Sequence, residues 1–345
     1  MHDKVYLWKR LHKERELKKL VTIRDVAKEA GVSVATVSRV INGSGYAHID
    51  TKKAVELAVS KLQYKPNEVA RSLYKRKSKL IGLILPDITN PFFPELSRGV
   101  EDYLQRRGYR LIIGNSDGKQ EKEREYINTF SQNNIIGIIA STSEYNEWNY
   151  QDLNMPVVLL DRTTEDLPAV YADQHAGGKL AAAILTERGS KEITLVRGPI
   201  TIKPVRERYQ SALELLQNTE GVNVQVLDST LSFQGAKSCA KELFDKYPKT
   251  DGVIACNDIV ASAILQEGLR LGRRIPEDLQ IIGYDDIPMC ALLYPALSTI
   301  RQPAYEMGEV AAETLIKMIN KEHLMEQHIK LDVTFIDRQT TRKGM

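Results

Sequence analysis

The 345-residue sequence contains little cysteine and no long apolar run. Its cysteines, Cys239, Cys256 and Cys290, are odd in number without CxxC spacing, and its six histidines form no HxxxH or HExxH cluster. We therefore expect no disulfide framework, no metal site and no cofactor. No apolar stretch approaches the roughly 18 residues that a membrane span needs, and the first twenty residues carry charges where a signal peptide needs an apolar core. The sequence thus predicts a protein of the reducing cytoplasm that crosses no membrane.

Short sequence motifs of common enzymes are also missing. The chain has no GxxxxGK phosphate loop, no GxGxxG nucleotide fingerprint and no GxSxG elbow. The neighbouring carboxylates of Asp285 and Asp286 point in different directions, which is poor geometry for acid-base catalysis. We therefore expect that the protein is not an enzyme.

Charge is distributed unevenly along the chain. Residues 1–79 carry 19 Lys and Arg against 8 Asp and Glu, a net charge of +11, whereas residues 80–345 carry 29 against 37, a net charge of −8. A basic head on an acidic body indicates that the head binds a polyanion while the body has another task. With 42% hydrophobic and 27% charged residues, a chain of this length is expected to form two or three folded domains.

Residues 22–42 have the pattern of two short helices joined by a turn. Thr22 is placed to cap the first helix, Gly31 to end it, and Ser33 to cap the second. This pattern predicts a helix-turn-helix, whose second helix lies in the major groove of DNA. The outer face of that helix carries small, methyl-bearing and guanidinium groups suited to base edges, and no acidic side chain. The candidate DNA-contacting residues are Thr22, Ser33, Val34, Ala35, Thr36, Ser38, Arg39 and Asn42.

A third helix is predicted over residues 50–62, with Asp50 or Thr51 near its start. Its apolar side is expected to complete a small bundle with the first two helices. That side comprises Val55, Leu57, Ala58, Val59 and Leu62. Residues 21–64 are therefore predicted to fold as an all-α DNA-binding domain.

The next segment, YKPNEVARSLYKRKSK at residues 64–79, resembles the hinge of the LacI/GalR family of bacterial transcription repressors. The run VAKEAGVSVATVSRVIN resembles the helix-turn-helix of that family almost position by position, and the resemblance extends from about residue 22 to residue 341. It implies that residues 65–79 form a hinge helix and linker, and that Leu73 enters a minor-groove step of operator DNA, as apolar wedges do. Val69 and Leu73, four residues apart, also fit the buried side of a linker helix. The implied DNA-contacting residues of the hinge are Asn67, Ala70, Arg71, Leu73 and Lys75.

Residues 1–20 have no counterpart in the family. We expect a disordered basic arm or translation from a misassigned start, and an amphipathic helix through Leu7, Leu11 and Leu17 is the alternative.

From residue 80 onward, short runs rich in Ile, Val and Leu alternate with amphipathic stretches. The runs predict strands of a buried parallel sheet at 80–85, 109–114, 135–140, 157–161, 192–198, 252–256 and 280–285. The stretches predict helices at 94–107, 121–133, 175–188, 205–217, 234–246 and 258–271. This alternation predicts a doubly wound α/β fold. The resemblance implies that residues 80–345 form an effector-binding and dimerisation core like the periplasmic sugar-binding proteins. Its two subdomains, 80–173 plus 302–331 and 174–301 plus 332–345, are joined by three crossovers.

Polar and aromatic residues follow many of the predicted strands, where ligands of open α/β sheets bind. Asp, Asn and Arg side chains can bond neighbouring hydroxyls, and aromatic rings pack against sugar rings. The candidate effector-binding residues are Asp87, Asn90, Phe92, Phe93, Asp161, Arg162, Arg208, Phe233, Asn257 and Asp285. The resemblance implies a pocket formed chiefly by Asp161, Arg208, Phe233, Asn257 and Asp285.

Asp258, residues 298–302 and Ala304 lie near the predicted pocket but are not expected to bind the effector. Asp258 is expected to cap a helix that begins at Ile259. Residues 298–302 are expected to support the fold without contacting a ligand. Ala304 falls where some family members place an aromatic ring over the effector, so that contact is expected to be absent or moved.

Taken together, these patterns predict a DNA-binding transcriptional repressor whose operator affinity is set by a small sugar, such as ribose or a sucrose-derived unit. Two heads that read two half-sites need two-fold symmetry, so the expected partners are double-stranded operator DNA, the sugar effector and a second copy of the chain. Some family members use a purine corepressor or a phosphorylated carrier protein, and this stays open as an alternative. A solute-binding protein or sugar-processing enzyme with an accessory DNA-binding head is the alternative of another class.

Overall fold

A computed structural model describes residues 21–43, 46–64, 78–141, 150–162 and 166–344 of the chain. These residues belong to two compact units, residues 1–77 and residues 78–345. Within the described residues, no helix is both long and apolar enough to span a bilayer.

The amino-terminal unit contains helices α1, α2 and α3 at Ile23–Ala30, Val34–Asn42 and Ile49–Leu62. Helix α1 begins at a capping box in which Thr22 and Asp25 accept hydrogen bonds from each other's backbone N–H groups. It ends at Gly31, whose φ of 67° is a conformation that suits glycine. Ser33 caps α2 by accepting a hydrogen bond from the backbone nitrogen of Thr36 at 3.1 Å. The predicted helix-turn-helix and its capping residues are therefore confirmed.

A small core holds these helices together. It consists of the buried residues Val26, Ala27, Val37, Val55 and Ala58. The prediction for Leu57 was wrong, because 71% of this residue is exposed. Leu57 lies only two positions beyond Val55, so on a helix it projects from nearly the opposite face.

The carboxy-terminal unit contains two six-stranded sheets. The twelve strands of the described residues, β1 to β12 in chain order, are Leu80–Leu85, Arg110–Asn115, Ile138–Ala140, Val157–Leu160, Ala169–Ala172, Glu192–Arg197, Asn223–Asp228, Gly252–Ile254, Gln280–Asp285, Ser298–Arg301, His328–Leu331 and Thr334–Ile336. The first sheet has the order β11-β5-β4-β3-β1-β2 and the second the order β12-β10-β9-β8-β6-β7. Strand pairing is parallel except between β10 and β12.

Seven helices follow strands of these sheets. Helices α4 to α10 are Phe92–Arg106, Gln120–Gln132, Gln174–Glu187, Lys203–Gln217, Phe233–Lys246, Asp258–Arg270 and Ala304–Ile319. Short 3-10 turns occur at Tyr150–Asp152 and Pro288–Ala291. Strand-helix alternation and two largely parallel sheets confirm the predicted fold class.

The chain passes between the two sheets at three crossovers. The first lies between β5 and α6, the second between β10 and α10, and the third between β11 and β12. Helix α10 packs on the first sheet and against α4, whereas α6 packs on the second sheet and against α7. The division into subdomains at the residues given above stays a prediction.

The core begins slightly before the predicted boundary at residue 80. Ser78 is buried, and its hydroxyl accepts a hydrogen bond from the backbone nitrogen of Leu80 at 3.0 Å. The carbonyl of Lys79 accepts from the backbone nitrogen of Arg110 at 2.8 Å. These two residues lie just before β1 and already bond to the core, although the sequence places them in the linker.

Candidate DNA-binding and effector-binding sites

Helix α2 presents a face that is suited to base contacts. Val34, Ala35 and Arg39 are exposed on it, and Val34 is 41% accessible. Among the described residues the guanidinium of Arg39 has no hydrogen-bond or ion-pair partner. Apolar groups and a guanidinium that are free to reach outward match thymine methyls and guanine edges.

The other predicted DNA-binding residues of this unit have structural tasks as well. Thr22 and Ser33 are occupied as helix caps. Thr36, Ser38 and Asn42 are half-buried, and the Nδ2 atom of Asn42 donates to the hydroxyl of Ser38 at 3.2 Å. The hinge candidates Asn67, Ala70, Arg71, Leu73 and Lys75 lie outside the described residues.

The effector candidates of the second sheet meet at the carboxyl edge of its strands. Asp285 is the last residue of β9, and Asn257 follows the neighbouring strand β8. Arg208 comes from α7 and brings a guanidinium nitrogen to 3.8 Å from the Oδ1 atom of Asp285. Both side chains are at least nine-tenths buried. Three of the predicted pocket residues thus lie on one edge of the sheet, and Arg208 and Asp285 form a buried ion pair.

Close packing of two helices fixes the position of Arg208. A Cβ atom at Gly178 of α6 would lie 2.1 Å from the carbonyl oxygen of Arg208, so only glycine permits this approach. The guanidinium carbon of Arg208 lies 4.2 Å from the ring centre of Tyr284, a cation–π distance. The side chain is therefore held between Tyr284 and Asp285 before any ligand binds.

Two effects act in opposite directions on the charge of Asp285. Burial raises the pKa of this carboxyl group above its ordinary value, while Arg208 and a hydrogen bond from Gln302 act in the opposite direction. Its φ angle of 110° is rare for a residue with a side chain. Such a conformation persists only where the surroundings hold it, as they do at functional sites.

Asp161 brings a second carboxyl group to the site from the first sheet. It follows β4, has a φ angle of 65°, and its backbone nitrogen donates to the carbonyl of Val170 at 2.8 Å. Burial raises its pKa, and the positive charges of Arg162 and Arg208 oppose that rise. Because Arg208 acts on both Asp161 and Asp285, residues of the two sheets share one electrostatic site.

Some buried polar atoms of this edge have no partner among the described residues. These are the Nε atom of Arg208 and the Nδ2 atom of Asn257. The Oδ1 atom of Asn257 accepts from the backbone nitrogen of Val260 at 2.9 Å, so Asn257 caps α9 and directs its amide nitrogen elsewhere. Buried donors are normally hydrogen-bonded, so atoms of this kind mark a place where a polar ligand binds.

Asp258 was predicted to cap the helix that Asn257 caps in the structure. Its buried carboxylate instead accepts from the hydroxyl of Thr299 at 2.6 Å and from the backbone nitrogen of Ile287 at 2.9 Å. Asp258 therefore ties α9 to β10 and to the turn that follows Asp285.

Four other candidates are occupied by local structure. Phe92 and Phe93 are buried in the core of the first sheet, with ring centres 5.2 Å apart. Asp87 accepts from the backbone nitrogen and the hydroxyl of Thr89, and the Oδ1 atom of Asn90 accepts from the backbone nitrogen of Phe92. These contacts place all four at the start of α4 without directing them at Arg208.

The last two candidates differ in exposure. Phe233 is 54% exposed at the first residue of α8, whereas Arg162 is buried beside Asp161. An exposed ring at the edge of the second sheet has room to pack on a ligand, and Phe233 stays a prediction in that role.

Two glutamines at the site were not predicted. The Nε2 atom of Gln302 donates to Asp285 at 2.7 Å, and the Nε2 atom of Gln174 donates to the Oε1 atom of Gln302 at 2.6 Å. Gln302 directly follows β10, which is the same kind of position that identified the other candidates, but it was assigned to the supporting structure. Gln174 follows β5, a strand that the sequence did not reveal, so no signal was available for it.

The sequence matches two known protein families. Residues 22–67 match the family described as bacterial regulatory proteins, lacI family, and residues 182–341 match a periplasmic binding protein-like domain. The chain is 56% identical over 325 residues to the ribose operon repressor of Bacillus subtilis (strain 168), covering 94% of this chain and 99% of the relative. The chain belongs to the lacI family of bacterial regulatory proteins. The predicted DNA-binding regulator, as opposed to an enzyme, is confirmed by this membership.

Solved structures of the lacI family have the same fold. A regulator from Enterococcus faecalis V583 with bound ribose is 30% identical, with a TM-score of 0.67 over 76% of this chain and 98% of that one. The Lac repressor dimer bound to operator is 22% identical, with a TM-score of 0.83 over 94% of this chain and 99% of that one. The second likeness concerns the fold alone.

Proposed function

We propose that this lacI-family protein is a ribose-responsive repressor of transcription. A homodimer binds a palindromic operator, and ribose between the two subdomains lowers the affinity for that operator. The observation that carries the proposal is the set of buried polar atoms beside the Arg208–Asp285 pair, which can bond adjacent hydroxyl groups of a sugar. The 56% identity to a relative named as a ribose operon repressor supports ribose as the sugar.

DNA binding is assigned to the face of α2 that carries Val34, Ala35 and Arg39. Val34 and Ala35 offer apolar contact to thymine methyls, and Arg39 offers two donors to a guanine. The hinge completes the interface, with Leu73 as the minor-groove wedge. The basic residues of the first 79 positions add affinity that does not depend on base sequence and that falls as the salt concentration rises.

A homodimer is supported by apolar surface on the core. Strand β2 lies at the edge of the first sheet, and Ile112 and Ile113 on it are 38% and 47% exposed. Leu292 and Tyr294 of the second subdomain are almost completely exposed. Exposed apolar side chains on both subdomains are suited to burial against a second copy of the chain.

The sugar acts through differential binding to two arrangements of the core. Its hydroxyl oxygens accept hydrogen bonds from Arg208 and Asn257, and one hydroxyl donates to Asp285. Asp161 reaches the same ligand from the first subdomain, so the bound sugar favours a closed cleft. Closure displaces the amino-side subdomains of the dimer and prevents the paired hinges from forming. DNA and sugar consequently weaken each other's binding by the same factor.

A regulator of this type works in the cytoplasm, where it meets its operator. Purine corepressors and a phosphorylated carrier protein are the alternative partners, and both would tighten DNA binding. They are less favoured because the relative at 56% identity is named for ribose. The alternative of a solute-binding protein or an enzyme with a DNA-binding head is also not favoured, since the chain matches regulators along 94% of its length.

The test is operator binding by fluorescence anisotropy at two salt concentrations, with and without ribose. We expect strong, salt-sensitive binding to a two-fold symmetric duplex and release on addition of ribose, but not of a purine or of glucose. A scrambled duplex of equal length is the control. Equal affinity for both duplexes would overturn the regulator, whereas preserved operator preference without any ribose response would overturn only the choice of sugar.

A further inference from the structure

Four buried side chains form a closed ring at the effector site. An Nη atom of Arg208 donates to the Oε1 atom of Gln174 at 3.4 Å, Gln174 donates to Gln302 at 2.6 Å, and Gln302 donates to Asp285 at 2.7 Å. The ion pair between Asp285 and Arg208 closes the ring at 3.8 Å. Gln174 and Gln302 themselves are 3% and 4% exposed, so solvent does not compete with these bonds.

The two ends of this chain of hydrogen bonds dictate its direction. A guanidinium can only donate, and an ionised carboxylate can only accept. Gln174 must therefore turn its oxygen to Arg208 and its nitrogen to Gln302, and Gln302 must turn its nitrogen to Asp285. Each amide uses one donor and one acceptor, and reversing either of them would place two acceptors face to face.

The direction of the ring decides what remains for a ligand. Gln302 occupies the Oδ1 atom of Asp285, and the Oδ2 atom accepts no hydrogen bond from the described residues. Gln174 occupies one nitrogen of Arg208, and the Nε atom of Arg208 has no partner among the same residues. The ring thus leaves an acceptor on Asp285 and a donor on Arg208 available to a ligand.

We propose that Gln174 is a positioning residue of the effector site, which passes the direction imposed by Arg208 on to Gln302 and so orients Gln302 toward Asp285. Its place in the chain adds a second role. Gln174 directly follows the first crossover and Gln302 lies in the second. A rotation of the subdomains about these crossovers changes the hydrogen bond between Gln174 and Gln302. The ring therefore connects the position of the Asp285 carboxylate to the arrangement of the subdomains. The consequence for sugar binding rests on the proposed function, whereas the direction of the ring does not.

A polarity swap tests the ring without any ligand. Gln174→Glu keeps an acceptor for Arg208 but removes the donor to Gln302, so Gln302 must reverse and turn its oxygen to Asp285. Asp285→Asn supplies a donor to that reversed oxygen and removes one negative charge, so that the ring again has a single negative charge, now at position 174. We expect the double variant to have a thermal midpoint at least about 2 °C above the value that the two single variants predict by addition.

Part of this rescue is expected from charge alone, because the double variant again pairs Arg208 with a single negative charge. This part does not depend on the hydrogen bonds through Gln302. The same single and double variants are therefore repeated in a Gln302→Met background. Methionine cannot form the hydrogen bonds of Gln302 and leaves the charges unchanged, so we expect the rescue to fall by at least half. Additive single variants, or a rescue that is unchanged with Gln302→Met, would overturn the proposal. The groups that also face Asp285 are Arg208 of α7, Asp258 of α9 and Asp161 after β4, and all of them remain in every variant.

Ribose titration by calorimetry adds the functional readout. Gln174→Glu should weaken ribose binding by about tenfold or more, since Gln302 then turns its oxygen to Asp285 and no longer donates to it. Gln217→Glu, an equal charge change at an exposed residue of α7, should leave it unchanged. Unaltered ribose affinity in Gln174→Glu would refute the positioning role. A wild-type protein that binds no ribose would refute the proposed effector, and the thermal cycle would still decide the ring.

Discussion

Replacement of Arg208 with Ala separates effector binding from operator binding. The guanidinium is buried, lies 3.8 Å from Asp285, donates to Gln174 and packs 4.2 Å from the ring centre of Tyr284. The change removes every one of these contacts, together with the donors assigned to the sugar. It alters no residue of 21–64, where the predicted base contacts of α2 lie.

The size of the effect follows from these contacts. A charge-assisted hydrogen bond contributes about 1.5 to 3 kcal/mol, so two such bonds to sugar hydroxyls correspond to a loss of about 10² to 10⁴ in ribose affinity. The cost in folding stability is smaller than the 3 to 5 kcal/mol typical of a broken buried pair. Asp285 already has a raised pKa, so without Arg208 it takes up a proton and does not remain as a buried charge.

The assay is calorimetric titration with ribose combined with operator anisotropy. We expect Arg208→Ala to bind operator without ribose and to show no release at ribose concentrations that release the wild type. Arg274→Ala is the matched control, because Arg274 is exposed and pairs with Asp278 before the amino end of β9, whereas Asp285 lies at the carboxyl end of that strand. Ribose affinity within tenfold of wild type in Arg208→Ala would refute the assignment of this pocket.

Three further predictions concern the head and the pH dependence of the core. Arg39→Ala should cost about 1 to 3 kcal/mol of operator affinity and relax base preference at one position, and an unchanged binding profile on a library of operators would contradict this. Leu73→Ala should weaken specific binding more than non-specific binding, whereas equal losses in both titrations would count against the wedge. Asp258 and Asp285 have raised pKa values, so their contribution to stability is complete below the ordinary carboxyl value of 3.8 and is lost as the pH rises through the raised values. The thermal midpoint of wild type should therefore fall with rising pH in that range more steeply than that of Asp285→Asn, and parallel curves would disprove this contribution.

Strands and helices with local signals were predictable. Runs such as LIGLIL and QIIGYD contain consecutive Ile or Leu residues, and the structure forms β1 and β9 at those residues. Five strands were missed because they lack such runs or lie at sheet edges and crossovers. They are β5, β7, β10, β11 and β12. Their conformation depends on partners far along the chain, as when His328–Leu331 pairs with Ala169–Ala172. No local pattern carries that information.

The sequence predicted Arg208, Asp285 and Asn257 at the site and missed Gln174 and Gln302. Asp285 ends the apolar strand β9, where position alone gives a signal, whereas Arg208 lies within α7 and was identified through the family resemblance. Gln174 and Gln302 are uncharged and fit any surface, so only the fold reveals that they face each other. Asn257 and Asp258 are a second example, because both residue types suit a helix cap. Only the structure shows that Asn257 bonds the first turn of α9, whereas Asp258 bonds the backbone of Ile287.

The turn that carries Asp285 is itself a reason to expect coupling between sugar and subdomain arrangement. Asp285 and Asp286 are consecutive non-glycine residues with φ angles of 110° and 60°, a conformation that costs on the order of 1 to 3 kcal/mol per residue. Asp286 is held by Arg301 at 2.7 Å and by Arg338 at 2.6 Å. Arg301 ends β10 at the second crossover, and Arg338 lies two residues after β12, which follows the third. Because the crossovers hold this turn in its strained form, a subdomain rotation that shifts them must alter the carboxylate that the sugar binds. A sugar that prefers one form of the turn must, by the same linkage, favour one arrangement of the subdomains.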